Sequence, residues 1–142
     1  VCMAKDLART VDYLHTRADV NADRLIYMGH SMGAVCGPCL LHAHPGFKAA
    51  VLISGGYPPS GPADNEQIYH PFHYMPHVKI PVLMINGRYD TIIDYHSAQL
   101  PFFEDLGSTH KQHILLNANH DPPTEELIHR ADQWLQSTLG PM

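Results

Sequence analysis

Leu25-Ile26-Tyr27-Met28, then Gly29-His30-Ser31-Met32-Gly33, then Ala34-Val35 follow one another without a break. The first four residues are an apolar run that reads as a buried strand, and residues 34–42 can begin as a helix. A serine in so tight a strand-to-helix turn has a strained backbone. Small residues two before and two after it relieve the crowding, and Gly29 and Gly33 occupy those places. Such a turn lifts the Ser31 hydroxyl to the positive end of the following helix, where a developing oxyanion is favoured.

Gly-x-Ser-x-Gly also arises by chance, so the reading requires an acid and a base downstream, in the order Ser, Asp, His. Residues 80–86 (IPVLMIN) read as a second buried strand that runs into Gly87-Arg88-Tyr89-Asp90. An acid just past the carboxyl end of a strand is correctly placed, which makes Asp90 the candidate. Residues 113–116 lead as a further strand into Asn117-Ala118-Asn119-His120-Asp121-Pro122-Pro123. His120 then lies in a loop ahead of the last helix, as a base should. Each interval leaves room for a strand-helix-strand step. Asp94 competes with Asp90, but it falls just before a helix and reads as its cap. Asp121 adjoins the base and is expected to point away from it.

At this point the chain resembles the α/β-hydrolase superfamily, and is most similar to the dienelactone-hydrolase and prolyl-oligopeptidase-like acyl hydrolases. The stretches that carry the resemblance are DRLIYMGHSMGAV (23–35), FKAAVLISGGYPP (47–59), VKIPVLMINGRYDTIIDY (78–95) and NANHDPP (117–123). It covers residues 6–139 and implies Ser31 as nucleophile, His120 as base and Asp90 as the acid that orients it. The usual glycine before the catalytic histidine is replaced by Asn119, which tolerates unusual backbone angles. The resemblance also implies strands ahead of the turn, and a loop, often His-Gly-rich, that supplies a second oxyanion donor. On this reading residues 1–142 are the C-terminal part of a single catalytic domain, or an incomplete gene product. The fold expected is a parallel sheet flanked by helices, of α/β-hydrolase type and lacking the N-terminal strands. The Met32 backbone N–H is the oxyanion donor that the turn itself supplies, and Leu139-Gly140-Pro141-Met142 reads as a natural terminus.

The rest of the sequence agrees with that class. Residues 3–18 form an amphipathic helix with Leu7, Val11, Leu14 and Ala18 on one face, and 49–54 form another strand. Residues 96–106 read as a helix ended by Gly107 as C-cap, followed by a strand at 111–117. A helix at 125–139 puts Ile128, Ala131, Leu135 and Leu139 on one face, with Trp134 beside it. Strands alternating with helices imply a parallel sheet. Residues 55–79 are rich in Pro, Gly, Tyr and His and have no period. In related hydrolases this region covers the active site, so Tyr57 and Tyr69, together with His30 of the turn, are the expected substrate contacts. The strand ahead of Ser31 is expected to expose an apolar edge and to self-associate through it.

Charge and composition exclude some functions. A net charge of −5 argues against nucleic acid as a partner, and no run of residues approaches the length of a membrane span. Twelve histidines make the net charge swing steeply near pH 6. The substrate expected is a small-molecule ester or a peptide, cleaved with no cofactor.

Three other readings compete. Cys36-Gly37-Pro38-Cys39 matches the thioredoxin CGPC motif, in which the first cysteine opens a helix and has a lowered pKa. Here the helix starts earlier, Val35 stands where thioredoxins usually carry Trp, and the Ser, Asp, His order is left unexplained. Two buried thiols beside a proline kink are the simpler expectation, and Cys2 has no evident partner. His70, His73 and His77 have no interleaved acid or cysteine, so no metal site is expected. His110 and His113 are expected at the surface. The third reading is a hydrolase-like remnant without activity.

Overall fold

Residues 49–53 (AAVLI) and 82–87 (VLMING) are almost wholly apolar, the pattern of strands covered on both faces. In the computed structural model, which describes residues 2–58 and 70–141, they are the buried central strands β2 (Ala49–Ile53) and β3 (Val82–Gly87). β1 (Ile26–His30) pairs with β2, and β4 (Lys111–Leu116) pairs with β3. All three pairings are parallel, with Tyr27 beside Ala50, Ala50 beside Val82 and Val82 beside Lys111. The alternating strands β1 and β4 flank the described sheet.

Side chains alternate across the pleat, so each strand feeds two cores. On one face Tyr27, Ala50, Leu52, Val82 and Met84 pack with helices α1 (Cys2–His15), α2 (Met32–Ala43) and α3 (Leu100–Asp105), through Leu7, Leu40, Leu41 and Phe102. On the other, Val51, Ile53, Leu83, Ile85 and Leu116 meet Ala131, Trp134 and Leu135 of α4 (Thr124–Leu139). The parallel α/β architecture is the one expected. Because the strands are parallel, the segments after β1, β2, β3 and β4 all leave the sheet at one edge, where open α/β sheets bind their ligands.

Several local expectations need correction. Ile128 is exposed, and Leu127 instead joins Ala131, Trp134, Leu135 and Leu139 on the buried stripe. The first helix ends at His15, and Ala18 lies exposed beyond it. The helix near 96–106 is not uniform: a π-helical turn, Tyr95–Gln99, precedes α3. Its end is capped by no left-handed glycine. The Lys111 ammonium donates at 2.8 Å to the carbonyls of Phe103, Glu104 and Leu106, so a side chain serves acceptors at the helix end in place of a glycine cap. At the end of α4, Gly140 takes the left-handed φ of 77°, and Arg24 donates to the Leu139 and Pro141 carbonyls.

Candidate active site

Ser31 sits between β1 and α2 at φ 51°, one of two non-glycine residues with positive φ among those described. Its N–H donates to the Ile53 carbonyl and its own carbonyl accepts from Val35, so the strained residue is held from β2 and from α2 at once. Met32 opens α2. Amides in the first helical turn have no intrahelical acceptor, so the Met32 N–H at the start of α2 carries the helix's partial positive charge.

The two glycines of the turn are not equivalent. A Cβ at Gly29 would lie 2.6 Å from the backbone carbon and oxygen of Gly33, whereas one at Gly33 would meet nothing nearer than the Tyr27 hydroxyl at 3.9 Å. The crowding expected on both sides of the serine is therefore real only at Gly29. Gly29→Ala is expected to destabilise by about 1–3 kcal/mol, as overpacking does. Gly33→Ala should be neutral, or stabilising by up to about 1 kcal/mol from helix propensity. Denaturant midpoints of the two variants check this; equal losses would refute the asymmetry. Tyr27 supports the turn from below by donating its hydroxyl to the Gly33 carbonyl at 2.7 Å, and burial pushes that phenol up to about 12.

The structure brings Ser31, His120 and Asp90 together. Ser31 Oγ lies 2.8 Å from His120 Nε2, and His120 Nδ1 lies 2.8 Å from Asp90 Oδ2. The carboxylate oxygen can only accept, so Nδ1 bears the ring proton and Nε2 presents its lone pair to the serine hydroxyl. The Asp90 side chain is fully buried. Its second oxygen, Oδ1, accepts from the backbone N–H groups of Ile92 and Ile93 at 2.8 and 2.9 Å. Gly87 explains how the two loops approach so closely. The Arg88 and Tyr89 N–H groups donate to Leu116 and Ala118, and a Cβ at Gly87 would overlap the Asn119 carbonyl at 1.8 Å. Asn119 itself has no positive φ, so the departure from glycine there is accommodated in an ordinary conformation.

The competing acids are occupied elsewhere. Asp94 caps the π-helical turn by accepting from the Ser97 N–H at 2.9 Å, as expected. Asp121 is exposed and pairs at 3.4 Å with His30, whose ring lies 5.8 Å from that of His120. Tyr57 spends its hydroxyl on Asp105 at 2.6 Å and stacks on His70; burial, then the carboxylate, push its phenol up. Its hydroxyl is thus already committed to Asp105. Tyr69 lies outside the described residues. His113 is not a surface residue: it faces Asn86 and packs against Phe103, and burial pulls its imidazole down to about 4.

Sequence reasoning did not single out Gln99, a fully buried glutamine whose Nε2 donates to the Gly87 and Ile93 carbonyls, bracketing the Asp90 loop. A lone glutamine inside an apolar stretch, SAQLPFF (97–103), was the available signal. Also unnoticed were three exposed large side chains close in sequence to Ser31 and Asp90: Met32, Tyr89 and Ile92.

The CGPC stretch lies within α2. Cys36 is in the second turn rather than at the helix N-terminus, both its thiol and that of Cys39 are half-buried and free, and burial pushes the Cys36 thiol up. That is the opposite of what an attacking redox thiolate requires. Among the described residues no group of three His, Cys, Asp or Glu side chains could hold a metal.

Comparisons with known proteins fit this geometry. A family model described as PET hydrolase-like matches residues 5–128. Cutinase est1 of Thermobifida alba is 31% identical over 128 residues, covering 84% of this chain and 39% of that protein. The chain spans about two fifths of the length of the curated relatives it matches. Among solved structures, the esterase Pf2001 of Pyrococcus furiosus matches with a TM-score of 0.80 at 19% identity, over 96% of this chain and 62% of that one. A zinc-bound structure of a cold-adapted esterase from an Arctic intertidal metagenomic library matches with a TM-score of 0.77 at 22% identity, over 97% and 58%. At such identities the likeness establishes the fold.

Proposed function

This chain belongs to the PET hydrolase-like family, and we propose that it hydrolyses a carboxylic ester by an acyl-enzyme route through Ser31, His120 and Asp90. The observation that carries the proposal is the unbroken hydrogen-bond chain from the Ser31 hydroxyl through the imidazole to a buried carboxylate.

Ser31 Oγ attacks the ester carbonyl carbon as its proton passes to His120 Nε2. Asp90 holds the ring in the tautomer that allows this and stabilises the imidazolium. The carbonyl oxygen becomes an oxyanion facing the Met32 N–H and the start of α2. Collapse expels the alcohol, which takes the proton from Nε2. Water then attacks the acyl-enzyme with the same nitrogen as base; the acid leaves and Ser31 regains its proton. Ser31 and His120 carry every proton moved, so the scheme calls on no cofactor.

Met32, Tyr89 and Ile92, exposed and close in sequence to Ser31 and Asp90, suit an apolar acyl or aromatic group. Relatives named as cutinases and esterases favour an ester over an amide.

The test is intact-mass analysis of the full chain after treatment with a fluorophosphonate probe. One adduct, mapped to Ser31, is expected. A folded sample that takes no adduct, or takes it at another residue, would refute the proposal.

A further inference from the structure

We infer that Ser54 is a positioning residue for His120, and that the Ile53-Ser54 dipeptide sets the separation between the nucleophile and the base. The inference rests on the roles proposed for Ser31 and His120, and deepens that reading.

Ser54 directly follows β2 and is fully buried. Among the described residues it and Ser31 are the two that carry a side chain at positive φ, here 51°. Glycine is the residue that adopts this conformation without steric cost. A residue with a Cβ at such a position invites the question of what its side chain does. Its Oγ donates to the backbone carbonyl of His120 at 2.5 Å, across 66 positions of sequence. Its N–H donates to the Ile85 carbonyl at 2.8 Å, fixing it to β3.

One residue earlier, the Ile53 carbonyl accepts the Ser31 N–H at 2.9 Å. Two adjacent residues, the last of one central strand and the one after it, therefore hold the backbone of the nucleophile and the backbone of the base. The next residue is fixed too: the Gly55 carbonyl accepts at 2.8 Å from Asn86 Nδ2, whose Oδ1 faces His113 Nε2 at 3.1 Å. Because Asn86 uses its amide nitrogen on Gly55, Oδ1 must accept, so the neutral His113 donates from Nε2. Both sides of Ser54 are thus anchored to the sheet, and its hydroxyl transmits that rigidity to His120. Without it, the nearest backbone hydrogen bonds of the His120 loop among the described residues are both at Ala118, two residues earlier, whose carbonyl accepts from the Tyr89 N–H and whose own N–H donates to Leu116. The His120 ring must meet Ser31 Oγ at 2.8 Å, and a misplacement of about 1 Å costs on the order of 10²-fold in rate.

The test compares Ser54→Ala, which keeps the strain and removes the hydroxyl, with Ser54→Gly, which removes the hydroxyl and relaxes the backbone. In both, kcat on a chromogenic ester and the rate of fluorophosphonate labelling are expected to fall together by about 10–10²-fold, with KM unchanged. A purely conformational role would spare Ser54→Gly. Full activity in a folded Ser54→Gly therefore overturns the inference, even if Ser54→Ala fails to fold.

A second readout does not need turnover: the low-field NMR resonance of the His120 Nδ1 proton bound to Asp90. It should broaden or vanish in Ser54→Gly, and an unchanged resonance overturns the inference. If the unmodified chain takes no label, the hydrolase reading fails, and the resonance alone decides whether Ser54 holds His120.

Discussion

Ser31→Ala is expected to lower ester turnover by about 10⁴–10⁶-fold, the loss seen when the nucleophile of a Ser-His-Asp hydrolase is removed, and to do so with almost no cost in stability. The two halves of that expectation have separate causes. In the proposed mechanism the Ser31 hydroxyl bonds to the acyl carbon, and no other hydroxyl is seen within hydrogen-bond reach of His120 Nε2 among the described residues. Yet the side chain makes no capping bond to α2, so its removal leaves the turn held by the same two backbone bonds, to Ile53 and from Val35. Alanine also inherits the positive φ unchanged.

Ser31→Gly sharpens the comparison. It relaxes the strained backbone and should stabilise by about 1 kcal/mol, while remaining as inactive as alanine. Initial rates on a chromogenic ester, read beside thermal midpoints, separate the effects. Ser31→Ala retaining more than a few per cent of the rate would remove Ser31 from the mechanism.

The sequence carried those parts of the molecule that depend on local chemistry. IPVLMIN and AAVLI could only be central strands, and a serine between glycines after LIYM could only be a strained turn, because composition and period settle such choices within a few residues. The order Ser31, Asp90, His120 and the capping role of Asp94 were legible for the same reason. What was not legible depends on who meets whom in space. Ile128 has the period of a buried residue but faces outward, since the sheet meets α4 one position away, at Leu127 and Ala131. His113 reads as a surface residue, yet it packs against Phe103 and faces Asn86. The crowding at Gly29 follows from the motif, but the space at Gly33, where the nearest atom to a Cβ is the Tyr27 hydroxyl at 3.9 Å, does not. Tyr57 offers a hydroxyl in sequence that Asp105 has already taken in the fold.

Asp90→Asn is expected to cost about 10⁴-fold in kcat, although it changes one atom and leaves the fold in place. The reason lies in the second carboxylate oxygen. Oδ1 accepts from two backbone amides, Ile92 N–H and Ile93 N–H, and an asparagine at this position has one oxygen to give. If its NH₂ faced those amides, two buried donors would be left unpaired, at about 1–3 kcal/mol each. The oxygen therefore stays with the amides and the NH₂ turns to His120 Nδ1. A donor facing Nδ1 forces that nitrogen to accept, which moves the ring proton to Nε2. The imidazole then presents N–H to Ser31 and can no longer take its proton. The variant is held in the wrong tautomer by the same backbone bonds that make Asp90 rigid. Asp90→Ala leaves Nδ1 without a partner but does not impose a tautomer, so it should retain more activity than Asp90→Asn whenever it folds. Steady-state rates of both variants, with imidazole ¹⁵N shifts to report the tautomer, test the argument. Asp90→Asn within tenfold of the unmodified chain would show that the carboxylate does not set the protonation of His120.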